Sequence, residues 1–583
     1  MHYAWKQLKK AAKMQVNGTE NRVAVLGNCA TQIFSAALQG QAKLSGMNVL
    51  VYDVGYDQID IQLLEPTSEV YRFQPNEILI WLSSQRLYEE FLSLPVSEKR
   101  RYADMVAQRL QHYWKLIREN CRARILQMNF TEVDDKVMGQ FSCKVEATFS
   151  FQVRRLNAIL QEAMAADRNV YPIDLLSIQL RLGQEQFFHA PFYYSAKMPA
   201  SLDSIGYIAE AVVGVIAAMQ GHIKKCIITD LDNTLWGGVI GDDGLGGIEI
   251  GELGRGHAFT SLQKWLKQLK DCGVILAVCS KNEEKTAKEP FEQHKEMVLR
   301  ICDISVFVAN WENKVSNIHL IQETLGIGMD AIIFLDDSPF ERGLVRQAIP
   351  ELEVPELPED PALYLEFLQR CNYFETVSYT GVQEDRTSMY QIELSRRQLQ
   401  ASYESVDEYL QSLEMEGEVQ PFQPDSYARI AQLTQRSNQF NLRTVRYTQE
   451  EIAQIAQDNR YLTFAYLLKD KYGEYGLVSV AILKKKSDRE AFIDTWLMSC
   501  RVLKRGMEEF VMNSIVRTAH EHGFLVLSAQ YLPTAKNAAV KGIYKRMGFT
   551  QTGTNLYCLQ IGSYCEKKNY IKEVGDYGKD CNF

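Results

Sequence analysis

The chain has 583 residues, 46% of them hydrophobic and 23% charged, the balance of a soluble globular protein too long for one core. Its formal net charge of −9 lacks the basic excess that nonspecific nucleic-acid binding needs. Twelve cysteines form no CxxC pair and no Cys/His cluster at zinc spacing, so reduced thiols and a cytoplasmic location are expected.

The opening MHYAWKQLKKAAKMQ is followed by no long apolar run, so no signal peptide is expected, and residues 1–20 read as an arm. RVAVLG at 22–27 reads as a buried strand, followed by the turn NCAT and the helix-like run QIFSAALQGQAKL. Strands are also expected at 48–53 and 77–82, and a long helical region at roughly 97–125. Strand and helix signals alternate, which predicts an α/β unit with a parallel sheet over 21–220. Its apolar stretch IAEAVVGVIAAM, near 208–219, reads as too short to span a membrane.

A second alternation fills 221–380, with strands at KCIITD, VILAVC, SVFVA and AIIFLDD. These short β-branched runs suit a sheet covered on both faces. The Pro-rich IPELEVPELPEDPALY at 349–364 argues against a long helix there. Residues 381–415 are charged and read as a linker helix. The third unit, 416–562, holds strands at LTFAYLL, GLVSVAIL, AFIDTWLMS and LVLSAQYL, and the polar tail 563–583 reads as loose.

In IITDLDNTLWGG, Asp230 and Asp232 stand one residue apart where a buried strand should end. Residues i and i+2 of a strand face the same side, so the two carboxylates converge at the edge where open α/β sheets bind ligands. Ser280 follows VILAVC, Lys314 lies in NWENK, and Asp336 and Asp337 follow AIIFL. Clustered carboxylates repel and call for a hard cation such as Mg²⁺. One carboxylate can attack phosphorus, and a second, raised in pKa by its neighbours, can protonate the leaving oxygen and later activate water. A lysine and a hydroxyl can bind the phosphoryl oxygens. Singly, each residue reads as a helix cap or a surface group; the ordered set points to phosphoryl transfer.

DLDNTLWGG, VCSKN, Lys314 and FLDDSPFER resemble, in order, the four motifs of the haloacid dehalogenase (HAD) superfamily. That resemblance implies Asp230 as nucleophile and Asp232 as acid/base. It also implies phosphate binding by Ser280, Asn282 and Lys314, and Mg²⁺ held among Asp230, Asp232, Asp336 and Asp337. Between Asp232 and Ser280 there is room for one helix and the flap GGVIGDDGLGG, but not for a large cap domain. Such an open site would accept a bulky substrate or be covered by another domain of the same chain.

AVLGNCATQIF places Cys29 after a strand and at the start of a helix, where a helix N-terminus lowers a thiol pKa. The stretch resembles the first block of SGNH-type hydrolases, with Gly27, Asn28 and Cys29 in place of Gly-Asp-Ser. Their Asp-x-x-His motif has no match between 150 and 220, which leaves His189 and Asp174 as loose candidates. Cys279 and Cys500 are rival thiols. A nucleophilic cysteine without a water-activating histidine favours passing an acyl group to another thiol over hydrolysis.

SCRVLKRGMEEF and NAAVKGIYKRMGF resemble the GNAT acyltransferase fold. In its phosphate-binding pattern Arg501 and Gly506 fit the ends and Lys504 replaces the first glycine, while Asn537 and Tyr544 match positions that contact the pantetheine arm or donate a proton. Tyr544 reads equally well as a core aromatic. A loop altered in this way favours the arm of a carrier protein over ordinary CoA.

The order SGNH-like α/β unit, HAD-type Rossmann-like core without a large cap, GNAT-like α+β unit resembles the FkbH-like proteins of polyketide assembly. AKMPAS, DLDNTLWGGVIGDDG, SNQFNLRTVRY and MSCRVLKRG carry that resemblance. It implies removal of phosphate from 1,3-bisphosphoglycerate and loading of the glyceryl group, through an enzyme thioester, on the phosphopantetheine arm of an acyl carrier protein. Cys29 or Asp230 could handle the acyl phosphate end. A phosphatase that only releases phosphate, a GNAT-type acyltransferase using acyl-CoA, and a module that recruits a carrier without chemistry are the alternatives.

Overall fold

The computed structural model describes residues 3–18, 20–377, 403, 405–437, 439–499, 502–534 and 537–575. Residues 1–218 and 219–583 form two compact units.

In the first unit, strands β1 (Asn21–Gly27), β2 (Val49–Tyr56), β3 (Glu77–Trp81), β4 (Arg124–Met128) and β5 (Val170–Ile173) make a parallel sheet in the order β2-β1-β3-β4-β5. Central β1 is apolar on both faces, and Val23, Ala24, Val25 and Leu26 are all buried. The expected helix after it forms over Gln32–Leu44. The expected helical region starts and ends inside its limits, at Tyr102–Asn120, and β4 begins at its far end. Strand β5 lies at the sheet edge, where the exposed Pro172 costs no ladder hydrogen bond on the open side.

The apolar stretch near 208–219 belongs to the 18-residue helix Leu202–Met219, with mean hydropathy 1.6. This corrects its reading as too short: by length and composition alone the helix could cross a bilayer. Ile208, Val212 and Ile216 of this helix are buried in the fold, the pattern of a core helix.

The second unit contains two sheets. Strands β6 (Cys226–Thr229), β7 (Ile275–Ser280), β8 (Val306–Ala309) and β9 (Ile332–Leu335) are parallel, in the order β8-β7-β6-β9. Side-chain alternation divides its core. Ile227, Leu276 and Ile333 pack with Phe259 and Leu262 of the helix Gly254–Asp271. Cys226, Ile228, Ala277 and Phe334 pack with Ile318 and Ile321 of the helix Lys314–Leu325 and Val345 of the helix Pro339–Ala348. Between β6 and β7 stand only the short helix Ile240–Gly247 and the helix Gly254–Asp271, so no large cap interrupts the sheet. The Pro-rich segment stays non-helical up to a short 3₁₀ turn at Pro361–Leu363.

The other sheet is built from β10 (Met415–Gln420), β11 (Phe440–Asn441), β12 (Tyr461–Asp470), β13 (Gly473–Ser487), β14 (Glu490–Met498), β15 (Val526–Gln530), β16 (Thr550–Gly553), β17 (Leu556–Gln560) and β18 (Ile571–Val574). Its order is β16-β17-β15-β14-β13-β12-β10-β18, with β11 on β14. Parallel pairing of β14 with β15 stops at Ile493–Ala529, and further along β14 Leu497 and Met498 pair with Asn441 and Phe440. The tail is not wholly loose: β18 pairs in parallel with β10. The linker-helix expectation falls mostly outside the described residues; within it Val406–Ser412 is helical and Met415 already opens β10.

Candidate active site

The carboxyl end of the four-stranded sheet gathers acidic groups around one lysine. Asp230 follows β6 directly, and its N–H donates to Leu335 O of β9 at 2.8 Å, which ties the two strand ends together. Lys314 opens the helix Lys314–Leu325, whose N-cap Asn313 accepts from Ser316 N at 2.8 Å. This cap aims the lysine back at the sheet. Its Nζ lies 2.8 Å from Asp230 Oδ2 and 2.5 Å from Asp336 Oδ2, and all three side chains are buried. Facing two carboxylates, the ammonium stays protonated well above the usual lysine range, although burial opposes this.

Asp230, Asp336 and Asp337 each offer an oxygen within 4.8 Å of the others. Asp230 Oδ1 is buried and has no hydrogen-bond partner. Burial, then the Asp230 carboxylate, push Asp336 up to about 6, against the pull of Lys314 and of Ser338 N–H. The same two causes raise Asp337. An orphaned carboxylate oxygen beside two strained carboxyl groups fits a small hard cation, and these three residues could hold it.

Asp232 is placed differently from the expectation. Strand β6 ends at Thr229, Asn233 turns into the left-handed region at φ 53°, and Asp232 forms a bridge with Trp236. Its Oδ1 accepts from Trp236 Nε1 and Ile240 N, both at 3.0 Å, and its Oδ2 accepts from Asn282 Nδ2 at 2.8 Å. The carboxylate is fixed by three donors and is not one of the three acidic groups that lie together. Asn282 also donates to Ser280 Oγ at 3.2 Å, so Ser280, Asn282 and Asp232 form one chain of contacts. The sequence reading missed Trp236, Thr234, whose Oγ1 accepts from Asp337 N at 3.1 Å, and Arg342. All three lie inside the quoted motif strings, and only the turn geometry shows what they hold.

In the first unit Cys29 does stand between β1 and the helix Gln32–Leu44, yet it is 1% exposed. Its Sγ contacts Trp81 O at 3.8 Å. Burial first, then Asp53 and Asp57, push the thiol far up, the reverse of the lowering expected from the helix N-terminus. Asp174 caps the helix Leu175–Leu182 and accepts from Asn129, and the His189 ring lies tilted against Phe192. Cys279 is also buried and pushed up to about 12, chiefly by desolvation.

In the third region of sequence, Arg501 and Cys500 lie outside the described residues. Gly506 caps the helix Met507–Glu521 at φ 81°, and Lys504 adopts φ 62°. The lysine thus takes the left-handed backbone that the replaced glycine would favour. Its N–H donates to Glu508 Oε1 at 3.2 Å, so a carboxylate of the chain itself occupies that turn. Asn537 and Tyr544, the expected arm contacts, are both buried. Asn537 is buried and donates to Asn441 O and Leu532 O, both at 2.9 Å. Tyr544, 1% exposed, packs against Trp496, Phe549 and Tyr557.

Residues 22–217 match the family model described as FkbH, N-terminal domain. The crystal structure of the N-terminal part of the protein BF1531 from Bacteroides fragilis, containing a phosphatase domain complexed with Mg, shares 42% identity. The match covers 65% of this chain and 100% of that one, with a TM-score of 0.62. The chain belongs to the FkbH-like family. Two further similarities of this FkbH-like chain are to the ribosomal-protein-S18-alanine N-acetyltransferase from Escherichia coli and the spermidine N-acetyltransferase from Vibrio cholerae in complex with CoA and spermine. The first has 16% identity, 29% of this chain, 99% of that one and a TM-score of 0.20. The second has 12%, 26%, 98% and 0.21. No curated protein matches.

Proposed function

We propose that this FkbH-like chain is a Mg²⁺-dependent phosphatase coupled to acyl transfer. It would dephosphorylate 1,3-bisphosphoglycerate and pass the glyceryl group, through an enzyme thioester, to the phosphopantetheine arm of an acyl carrier protein, for polyketide starter or extender supply. The observation that carries the phosphatase part is the buried, unpartnered Oδ1 of Asp230 beside Lys314, Asp336 and Asp337. The Mg found in the Bacteroides fragilis neighbour supports the same cation here.

In this reading Asp230 attacks the phosphorus of the phosphate ester, and the alkoxide oxygen departs with a proton from Asp232. Asp232 then takes a proton from water, whose oxygen attacks the aspartyl phosphate; inorganic phosphate leaves and Asp230 is restored. Lys314, Ser280 and Asn282 bind the phosphoryl oxygens. Bound among Asp230, Asp336 and Asp337, Mg²⁺ supplies neutralising charge for the phosphoryl oxygens. At the other end of the donor, a cysteine thiolate would displace phosphate from the acyl carbon, and the carrier thiol would then displace the cysteine.

The burial of Cys29 favours a second reading, in which phosphate removal is the whole reaction. One experiment separates the two. The protein is incubated with Mg²⁺ and 1,3-bisphosphoglycerate, with and without a carrier protein, and phosphate and intact masses are measured. A glyceryl adduct that moves to the carrier supports loading. Phosphate release without any adduct leaves the phosphatase alone, and no phosphate release overturns both.

A further inference from the structure

We propose that Arg342 is a positioning residue for the cation site, holding Asp336 and Asp337 through their backbone carbonyls. The proposal rests on the metal-dependent reading above. Arg342 lies on the helix Pro339–Ala348, one turn after the cap Ser338, and its side chain is buried. Its Nη1 donates to Asp336 O and to Asp337 O, each at 2.7 Å. On the far side of the same planar group, Nε donates to Glu356 Oε2 at 3.1 Å and Nη2 stands 3.1 Å from that oxygen.

Two consecutive carbonyls can meet one nitrogen only if the two peptide planes that flank Asp337 keep one mutual orientation. The two planes meet at the Cα of Asp337, so turning one against the other would swing the Asp337 carboxyl away from Asp230. The other restraints there are Ser338 N on Asp336 Oδ1 at 2.9 Å and Thr234 Oγ1 on Asp337 N at 3.1 Å. Each holds the N–H edge of one of these two peptide planes, and Arg342 alone grips the carbonyl edges of both and ties the two planes to each other. Three neighbouring carboxyl groups repel one another; Lys314 pairs with Asp230 and Asp336, and Arg342 adds a restraint that reaches Asp337 through its backbone. A guanidinium can grip the carbonyls and Glu356 at once because its donors are held in a rigid fork; an ammonium has no such fork.

The test is Mg²⁺ binding by calorimetry to the full chain, with Arg342→Gln, Arg342→Lys and Glu356→Gln. Outer-sphere partners of metal ligands usually matter by about 10–100-fold in affinity. Arg342→Gln is expected to weaken Mg²⁺ binding within that range, Arg342→Lys by less, and Glu356→Gln by a few-fold. In phosphate release, the Mg²⁺ concentration for half-maximal rate should rise more than kcat falls. Folded Arg342→Gln protein that binds Mg²⁺ like the wild type overturns the proposal, as does a loss of kcat with unchanged Mg²⁺ binding. Glu356 has a 62% exposed side chain, so its variant should fold even if Arg342→Gln does not, and unchanged Mg²⁺ binding there also counts against the clamp. Wild-type protein that binds Mg²⁺ but releases no phosphate overturns the phosphatase reading and leaves the clamp standing; wild type that binds no Mg²⁺ overturns both.

Discussion

The ammonium of Lys314 bridges Asp230 and Asp336, at 2.8 Å from the first, while the other oxygen of Asp230 is buried without a partner. One cation therefore neutralises part of a three-carboxylate cluster and leaves room for a second positive charge. Removing one partner of a buried ion pair costs about 3–5 kcal/mol, because the remaining charge stays uncompensated. Lys314→Met should lower the stability of the metal-free protein by an amount near the low end of that range, read by thermal denaturation. It should also cut phosphate release at least about 100-fold, the scale for one lost transition-state donor. A Lys314→Met protein with full activity would remove Lys314 from the phosphate site.

Asp232 is held by Trp236, Ile240 N–H and Asn282, so its shape can be kept while its proton is removed. In Asp232→Asn the side-chain oxygen still accepts from Trp236 and Ile240 N–H, and a flip of the Asn282 amide would restore the third contact. Stability should change by less than about 1 kcal/mol. Rate should fall about 10²–10⁴-fold for an alkyl phosphate, the usual weight of general acid–base catalysis. The loss should be smaller for p-nitrophenyl phosphate, whose leaving group needs no proton. Equal losses on the two substrates would argue that Asp232 shapes the flap and transfers no proton.

The difference between Asp230 and Asp232 also shows how far the sequence could be read. Strands β6, β7, β8 and β9 were legible because each is a short apolar run closed by a polar residue, and both faces are covered. The i, i+2 rule does not extend to Asp232, because the strand stops at Thr229 and Asn233 is left-handed. Strand β5 was hidden by Pro172, and β18 by a polar tail in which Ile571 supplies the buried contact. For Cys29 the strand-to-helix turn was visible, but burial is a property of packing: the thiol lies behind Trp81, 52 residues away in sequence.

Chelation and acid should act on the same cluster. Mg²⁺ at about 100 times its dissociation constant adds about 2.7 kcal/mol to the folded state. A melting temperature several degrees higher with Mg²⁺ than with EDTA is expected at pH 7.5, and Asp337→Asn should shrink the gap. Asp336, raised to about 6 in the metal-free fold, keeps a proton that the unfolded chain releases near its ordinary value of 3.8. Its contribution is thus most favourable below that value and is lost as pH rises through about 6. Mg²⁺ competes with that proton, so the Mg²⁺-dependent gain should diminish between pH 7.5 and pH 5. A gain that grows on acidification would exclude Asp336 from the cation site.

Thiol reactivity tests the weakest link between the phosphatase centre and acyl transfer. Cys29, Cys226 and Cys279 are buried, whereas Cys143, Cys272, Cys302 and Cys565 are exposed. Burial raises the Cys29 and Cys226 thiols far above their ordinary value of 9.0, so neither forms thiolate near neutral pH. With the folded value above the unfolded one, this protonated state is favoured below pH 9 and becomes a burden on the fold only as pH rises beyond it. Iodoacetamide at pH 7.5 should therefore label Cys143, Cys272, Cys302 and Cys565 within minutes and leave Cys29 unlabelled until the protein is denatured, as read by peptide mass spectrometry. If Cys29 is the acyl carrier, 1,3-bisphosphoglycerate must open its surroundings, and the same digest should then show a glyceryl mass on the peptide containing Cys29. Labelling of free Cys29 as fast as Cys143 would contradict its burial. Persistent protection of Cys29 while a glyceryl adduct forms on another peptide would move the thioester to a different cysteine.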